Sequence, residues 1–261
     1  MLINYSYLYL LSPLHTGGTT QEGNLVGIAR ESHTNFPYIP SSSIRGRLRA
    51  NVEDQQQKYK LFGTELENTS QLEQGNIWIG DGALLWLPVP SLSHGVVWVS
   101  CPMLLRRWGR YTGKLAQIPV EYSCNCLNGN SGVYLKDAIL KKEELKQWHN
   151  WQEFIPQTPQ TQTIERAIVL PDKHCATLIQ MSLWRQVKIK LDEKKSVDGG
   201  LRYEEAIPPD TLMYFTWGIT SAANARASEM DQEFTELLNK QKILQIGGQE
   251  SLGRGFVQQW V

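Results

Sequence analysis

Apolar and polar side chains alternate almost from the first residue: Ile3, Tyr5, Tyr7 and Tyr9 interleave with Asn4, Ser6, Leu8 and Leu10. A period of two predicts a β-strand. Its second face also turns apolar, which makes it a central one. The pattern ends at Ser12-Pro13. From His15 to Gly27 periodicity is lost and four glycines appear, so a loop is expected whose backbone comes close to a ligand. A helical stripe follows, Ile44, Leu48 and Val52, behind Ser41, Ser42 and Ser43, which offer N-caps. Residues 76–87 and 95–101 predict strands, with Pro88, Pro90 and Pro102 held off central ladders. Between Trp108 and about Ile155 the signals are mixed. Gly129, Asn130 and Gly132 mark loop, 138–148 reads as a charged helical stretch, and 156–163 as a flexible connector.

The pattern then sharpens. Val187, Ile189 and Leu191 alternate with Lys188, Lys190 and Asp192, a polar turn runs through Lys194, Lys195, Asp198, Gly199 and Gly200, and Leu201 and Tyr203 start back. This predicts a hairpin with one basic and one apolar face. A strand at 211–219, a helix on Met230, Phe234, Leu237 and Leu238, and a closing strand at 256–261 complete the order. The whole is a split βαβ pattern with insertions, an α+β chain.

Composition narrows the function classes. With 41% hydrophobic and 20% charged residues the 261-residue chain is globular rather than disordered. No apolar run is long enough to span a bilayer, and the first ten residues lack the basic flank of a signal peptide, so a soluble cytoplasmic protein without membrane partners is expected. Cys101, Cys124, Cys126 and Cys175 have no zinc-site spacing, and no metal site is expected from them. A formal net charge of zero argues against coating nucleic acid by bulk electrostatics, yet the cations cluster locally, at Arg30, Arg45, Arg47 and Arg49 and again at Arg106, Arg107 and Arg110. Arg45 and Arg49 lie one turn apart beside a helix N-terminus, which suits a phosphate cradle and equally suits a surface helix with solubilising arginines.

Four segments, in order, carry a family likeness: His15-Thr-Gly-Gly with Arg30-Glu31 through Thr34, Pro37, Pro40 and Ser41-Ser-Ser-Ile-Arg45-Gly46; Leu61-Phe62-Gly63 with Gly80-Asp81-Gly82-Ala83 and Leu87-Pro-Val-Pro-Ser-Leu92; Gly199-Gly-Leu-Arg-Tyr203-Glu204-Glu205; and Leu244-Gln-Ile-Gly247-Gly248 through Gly253-Arg254-Gly255. On these the chain resembles the RAMP superfamily, specifically the repeated backbone subunit of type III-B (Cmr-type) CRISPR effector complexes. Residues 108–172 match poorly.

The resemblance implies a single RAMP domain over 1–261. It has a ferredoxin-like (RRM-like) palm at about 1–107 and 173–261, an insertion at about 108–172, and a β-hairpin thumb at about 187–205. Copies would stack head to tail on crRNA, beside target RNA and other type III subunits. The RNA-binding residues it implies are His15, Gly17, Gly18, Arg30, Ser42, Ser43, Arg45, Arg49, Lys188, Lys190, Gly247, Gly248 and Arg254. Glycine turns would let phosphates approach the backbone, and the arginines would add charge-assisted bonds.

Members that cut RNA carry an aspartate shortly before the Arg-Glu pair. Here that place falls on Leu25 or Asn24, and neither binds Mg²⁺ as an anion. Glu22 is the acid nearby and the candidate catalytic residue. No cofactor is expected, with Mg²⁺ needed only if the subunit cleaves RNA. Alternatives are an active Mg²⁺-dependent endonuclease subunit and a metal-independent crRNA-processing RAMP enzyme with His15 or His33 as base. A free-standing RRM-like binder lacks the expected aromatic string on a strand.

Overall fold

The computed structural model describes residues 3–22, 25–64, 74–127, 132–193 and 195–261. In chain order the strands and α-helices are β1 (Asn4–Leu10), β2 (Gly17–Glu22), β3 (Leu25–Ile28), α1 (Ser41–Ala50), α2 (Gln55–Phe62), β4 (Ile77–Ile79), β5 (Ala83–Ser91), β6 (Gly95–Ser100), α3 (Pro102–Thr112), β7 (Ser123–Cys124), β8 (Val133–Leu135), β9 (Ala138–Leu140), β10 (Lys146–Gln147), β11 (Ala167–Val169), α4 (Asp172–Ser182), β12 (Trp184–Leu191), β13 (Val197–Ala206), β14 (Leu212–Ile219), α5 (Ala227–Lys240), β15 (Ile243–Gln245) and β16 (Phe256–Trp260). The fold is mixed α and β, as expected.

The main sheet runs β10-β7-β11-β6-β5-β14-β1-β16-β15. Its centre, β5-β14-β1-β16, is antiparallel throughout, with α1 and α2 between β1 and β5 and α5 between β14 and β16. That order and handing-over of helices is the split βαβ arrangement. β1 is central because both its faces bury. Leu8 and Leu10 join the core under α1, α2 and α5, while Tyr7 and Tyr9 join a second, aromatic core on the opposite face. β14 divides in the same way, Met213, Phe215 and Trp217 against Leu212 and Tyr214. In β5 the alternation breaks: Leu85 and Trp86 share the aromatic side, where the pairing with β14 shifts register between Leu212 and Met213. Pro88 and Pro90 do sit in this central strand. They lie past the stretch paired with β14, where β5 continues its ladder with β6.

Several sequence expectations change. The segment 138–148 is not helical. It forms β9, a 3-10 turn at Lys142–Glu144 and β10, because Val133 pairs with Leu140 and because Leu140, Leu145 and Trp148 all bury. The stretch 156–163 is ordered: Thr161 is buried on the Pro156 carbonyl, and Thr163 Oγ1 is 2.8 Å from the Tyr9 hydroxyl. The His15–Gly27 segment contributes β2 and β3 to a second sheet, β12-β13-β3-β2, rather than an irregular loop. Gly23 and Asn24 within it, Gly129 and Asn130, and Lys194 of the hairpin turn lie outside the described residues. Helix α3 begins at Pro102 and carries across the expected palm–insertion boundary. With Trp108, Trp148 and Phe154 it closes the aromatic core, so the sheet face that an RRM offers to bases is covered. Among the described residues no helix is long and apolar enough to cross a membrane, and all four cysteines are free and buried.

Candidate nucleic-acid interface

The predicted cations do not share one cradle; they fall into two groups. The first belongs to α1. No serine side chain caps this helix: its N-cap is Pro40, and Ser42 and Ser43 lie within the first turn. The Ser41 N–H donates to Asp81 Oδ1 at 2.7 Å, so a carboxylate already occupies the positive end of the helix. Arg45 turns inward. It donates to the Phe62 and Ile77 carbonyls at 2.6 and 3.0 Å, and its guanidinium lies 5.5 Å from the Phe62 ring centre. Burial, and secondarily the charge of Arg49, lowers its pKa. Arg49 also donates to the Phe62 carbonyl, at 3.2 Å. Both arginines bond the last carbonyl of α2, that of Phe62, and Arg45 also ties α1 to β4 through Ile77.

The second group converges on two consecutive acids of β13, Glu204 and Glu205, which sequence reading placed in a motif without a role. Successive strand residues face opposite ways, so each acid gathers its own partners. Glu205 is fully buried. It accepts from Arg30 Nη2 and, at 3.1 Å, from Nε of Arg185, its direct cross-strand neighbour. Its carbonyl accepts from His15 Nδ1 at 2.7 Å. Glu204 binds Lys188 at 2.7 Å, Arg254 at 2.9 Å and the Gln249 amide at 2.9 Å. Burial raises the Glu204 carboxyl, but the bonds from Lys188, Gln249 and Arg254 outweigh it and hold the group below the ordinary carboxylate range.

Arg254 is itself buried. It lies 4.5 Å above the Trp184 ring and also donates to Gln186 and Gln249. It therefore rivets the carboxy-terminal glycine motif to the base of the hairpin. Gly247 adopts φ +81°, and a Cβ there would run into the His15 carbonyl oxygen. The Gly248 N–H donates to that same oxygen at 3.1 Å. The tight approach that these glycines permit is to the chain's own backbone. Lys188 keeps its place on β12 but pairs with Glu204 instead of standing on a free basic face. The side chains of Lys190 and Glu22 and the orientation about Gly18 lie outside the described detail, and Gly17 lines the cleft described next.

Leu25, one of the two positions where the resemblance calls for an aspartate, sits in β3 opposite Tyr203, one strand from Glu204. It lines a cleft of about 730 Å³ whose walls include Arg30, Arg185 and Glu205. A second cleft, about 390 Å³, adjoins it through Arg30, Glu31, Ser32 and Tyr38 and reaches His33 and Asp81. Glu31 is engaged there by Arg107 at 2.7 Å. Among the described residues no group of three or more His, Cys, Asp and Glu is placed to hold a metal ion.

The RAMP superfamily family model matches residues 7–258. The CRISPR system Cmr endoribonuclease Cmr4 of Pyrococcus furiosus is 30% identical, over 96% of this chain and 92% of that protein. The crystal structure of oligomeric Cmr4 from Pyrococcus furiosus superposes with a TM-score of 0.72 at 26% identity, covering 100% of this chain and 97% of the other. A chain in the cryo-EM structure of type III-B Cmr-beta bound to cognate target RNA gives 0.78 over 100% and 97%; at 19% identity it speaks for the fold alone. A likeness that begins in the first strand and ends in the last, over a core folded in the same way, means that the chain belongs to the RAMP superfamily.

Proposed function

We propose that the chain is a crRNA-binding backbone subunit of a cytoplasmic type III CRISPR effector complex, stacking head to tail with further copies along the guide and holding the guide–target duplex. The observation that carries this is the end-to-end likeness to Cmr4 of Pyrococcus furiosus, in sequence and in fold. A head-to-tail contact is heterologous and does not close, which suits a ladder of length set by the RNA. We take residues 1–261 as one domain, with the palm, insertion and thumb divided as the sequence suggests. The thumb assignment gains support from the β12–β13 hairpin: the cross-strand pairs Val187–Tyr203 and Ile189–Leu201 stand 41–50% exposed, an apolar face of the kind that wedges between bases.

The first loop we read as weakened for cleavage. Neither of the two places for the expected aspartate, Leu25 and Asn24, supplies a carboxylate for Mg²⁺. The relative named an endoribonuclease keeps the active reading alive through Glu22. Two assays test the proposal. Two RNAs of equal length and unrelated sequence should bind with equal affinity, since contacts to phosphate and ribose carry no sequence information; strong preference for one would count against it. The assembled complex with guide-matched RNA and Mg²⁺ should leave the RNA intact, and regular cuts lost in Glu22→Ala would establish the active reading instead.

A further inference from the structure

We infer that the cleft beside the hairpin base is a subsite for a single RNA phosphate, contacted by Arg185 and aimed by Glu205; this rests on the RNA-binding reading above. Among the described residues, the charged ones lining the cleft are Arg30, Glu31, Arg185 and Glu205. Glu31 is neutralised by Arg107, and the one carboxylate of Glu205 serves two guanidiniums, Arg30 and Arg185. Among the described residues one positive charge is thus left over in the cleft wall, in a chain that is neutral overall. An anion is the ligand that balances it.

The residue that presents this charge is Arg185. Its side chain is 55% exposed, and Nε is held by the fully buried Glu205. Its two terminal nitrogens have no partner among the described residues. A guanidinium gripped at Nε keeps its planar fork directed outward, the geometry that matches two oxygens of a phosphate. Arg30 adds to the demand: its Nη1 is buried without a hydrogen bond among the described residues. Two other cations at the hairpin base, Lys188 and Arg254, are held by Glu204. Leu25 lines the same cleft, so the phosphate bound there lies beside the loop where cutting relatives are expected to carry their aspartate. Arg185 is thus a contact residue and Glu205 a positioning residue.

The test uses the full chain and a labelled mixed-sequence RNA, with anisotropy followed from about 50 to 200 mM salt, where each single-strand phosphate contact contributes a slope of about 0.7 in log affinity against log salt. Arg185→Ala should reduce the slope by about 0.7 and weaken binding about tenfold at low salt while remaining folded. Its unfolding midpoint should be lowered, because the buried Glu205 then keeps Arg30 alone. Arg185→Lys, which keeps the charge and loses the fork, should keep the slope while binding less tightly. An Arg185→Ala slope equal to wild type overturns the subsite and leaves the RNA-binding function standing. Arg185→Lys binding as tightly as wild type overturns the aiming role of Glu205. A wild-type chain that ignores RNA overturns the proposed function, and the subsite with it.

Discussion

Replacing Arg254 with alanine separates two roles that the sequence alone leaves tangled. As a phosphate contact, Arg254 would matter for RNA and hardly for folding. In the structure it is a buried rivet: its side chain and that of Glu204 are each 6% exposed, and the guanidinium rests on Trp184. Breaking a buried ion pair by removing one partner costs about 3–5 kcal/mol. Glu204 retains Lys188, which is one-third exposed, and Gln249, which places the loss at the lower end. The lost stacking on Trp184 adds about 1 kcal/mol. Arg254→Ala should therefore destabilise the protein by about 3–4 kcal/mol, or roughly 6–12 °C in melting temperature for a chain of this size. Urea unfolding followed by tryptophan fluorescence measures it. A double-mutant cycle with Glu204→Gln should return a coupling of about 1–3 kcal/mol. A loss below about 1 kcal/mol with a reduced RNA salt slope would refute the rivet and return Arg254 to the RNA surface.

Three further outcomes are expected. Gly247→Ala should destabilise by about 2–3 kcal/mol, because φ +81° and the His15 carbonyl both oppose a Cβ; Gly253→Ala, at φ +73° with open space around it, should lose only about 1 kcal/mol, and equal losses in chemical denaturation would show that the His15 contact is unimportant. Arg45→Ala should cost about 2 kcal/mol in the same assay through its carbonyl bonds to Phe62 and Ile77 while leaving the RNA salt slope unchanged; a reduced slope with unchanged stability would restore the phosphate cradle. Glu204 has a depressed folded pKa, so the stability it contributes is complete above the unfolded value of about 4.3 and is lost as pH falls through the lower folded one. Wild type should consequently lose more melting temperature than Glu204→Gln between neutral pH and about pH 3, and parallel curves would contradict the assignment.

Where one strand or helix buries a face by itself, its sequence announces it. Tyr5, Tyr7 and Tyr9 against Leu8 and Leu10 describe β1 fully, and Met230, Phe234, Leu237 and Leu238 describe α5. Helix α4 carries an equally clear stripe, Cys175, Leu178 and Ile179 behind Pro171-Asp172. Helix α3 was obscured by arginines between its buried Leu104, Leu105 and Trp108. The β2–β3 segment was opaque for a different reason: its pairing partner is β13, far along the chain, and its glycines suggest loop in isolation. The candidate site shows the same limit. Arg30, Lys188 and Arg254 were all identified as important cations, and the structure gathers them at the base of one hairpin. What no local pattern could disclose is that Glu204 and Glu205 await them there, because that pairing exists only once the two sheets and the glycine motif have assembled.

The central claim is that copies of this chain add along RNA by repeated backbone contacts. Native mass measurement of the protein with RNAs of increasing length tests it most directly. The number of bound copies should rise in even steps with RNA length, whatever the sequence. A single copy at every length, or no binding at low salt even beside its complex partners, would contradict it.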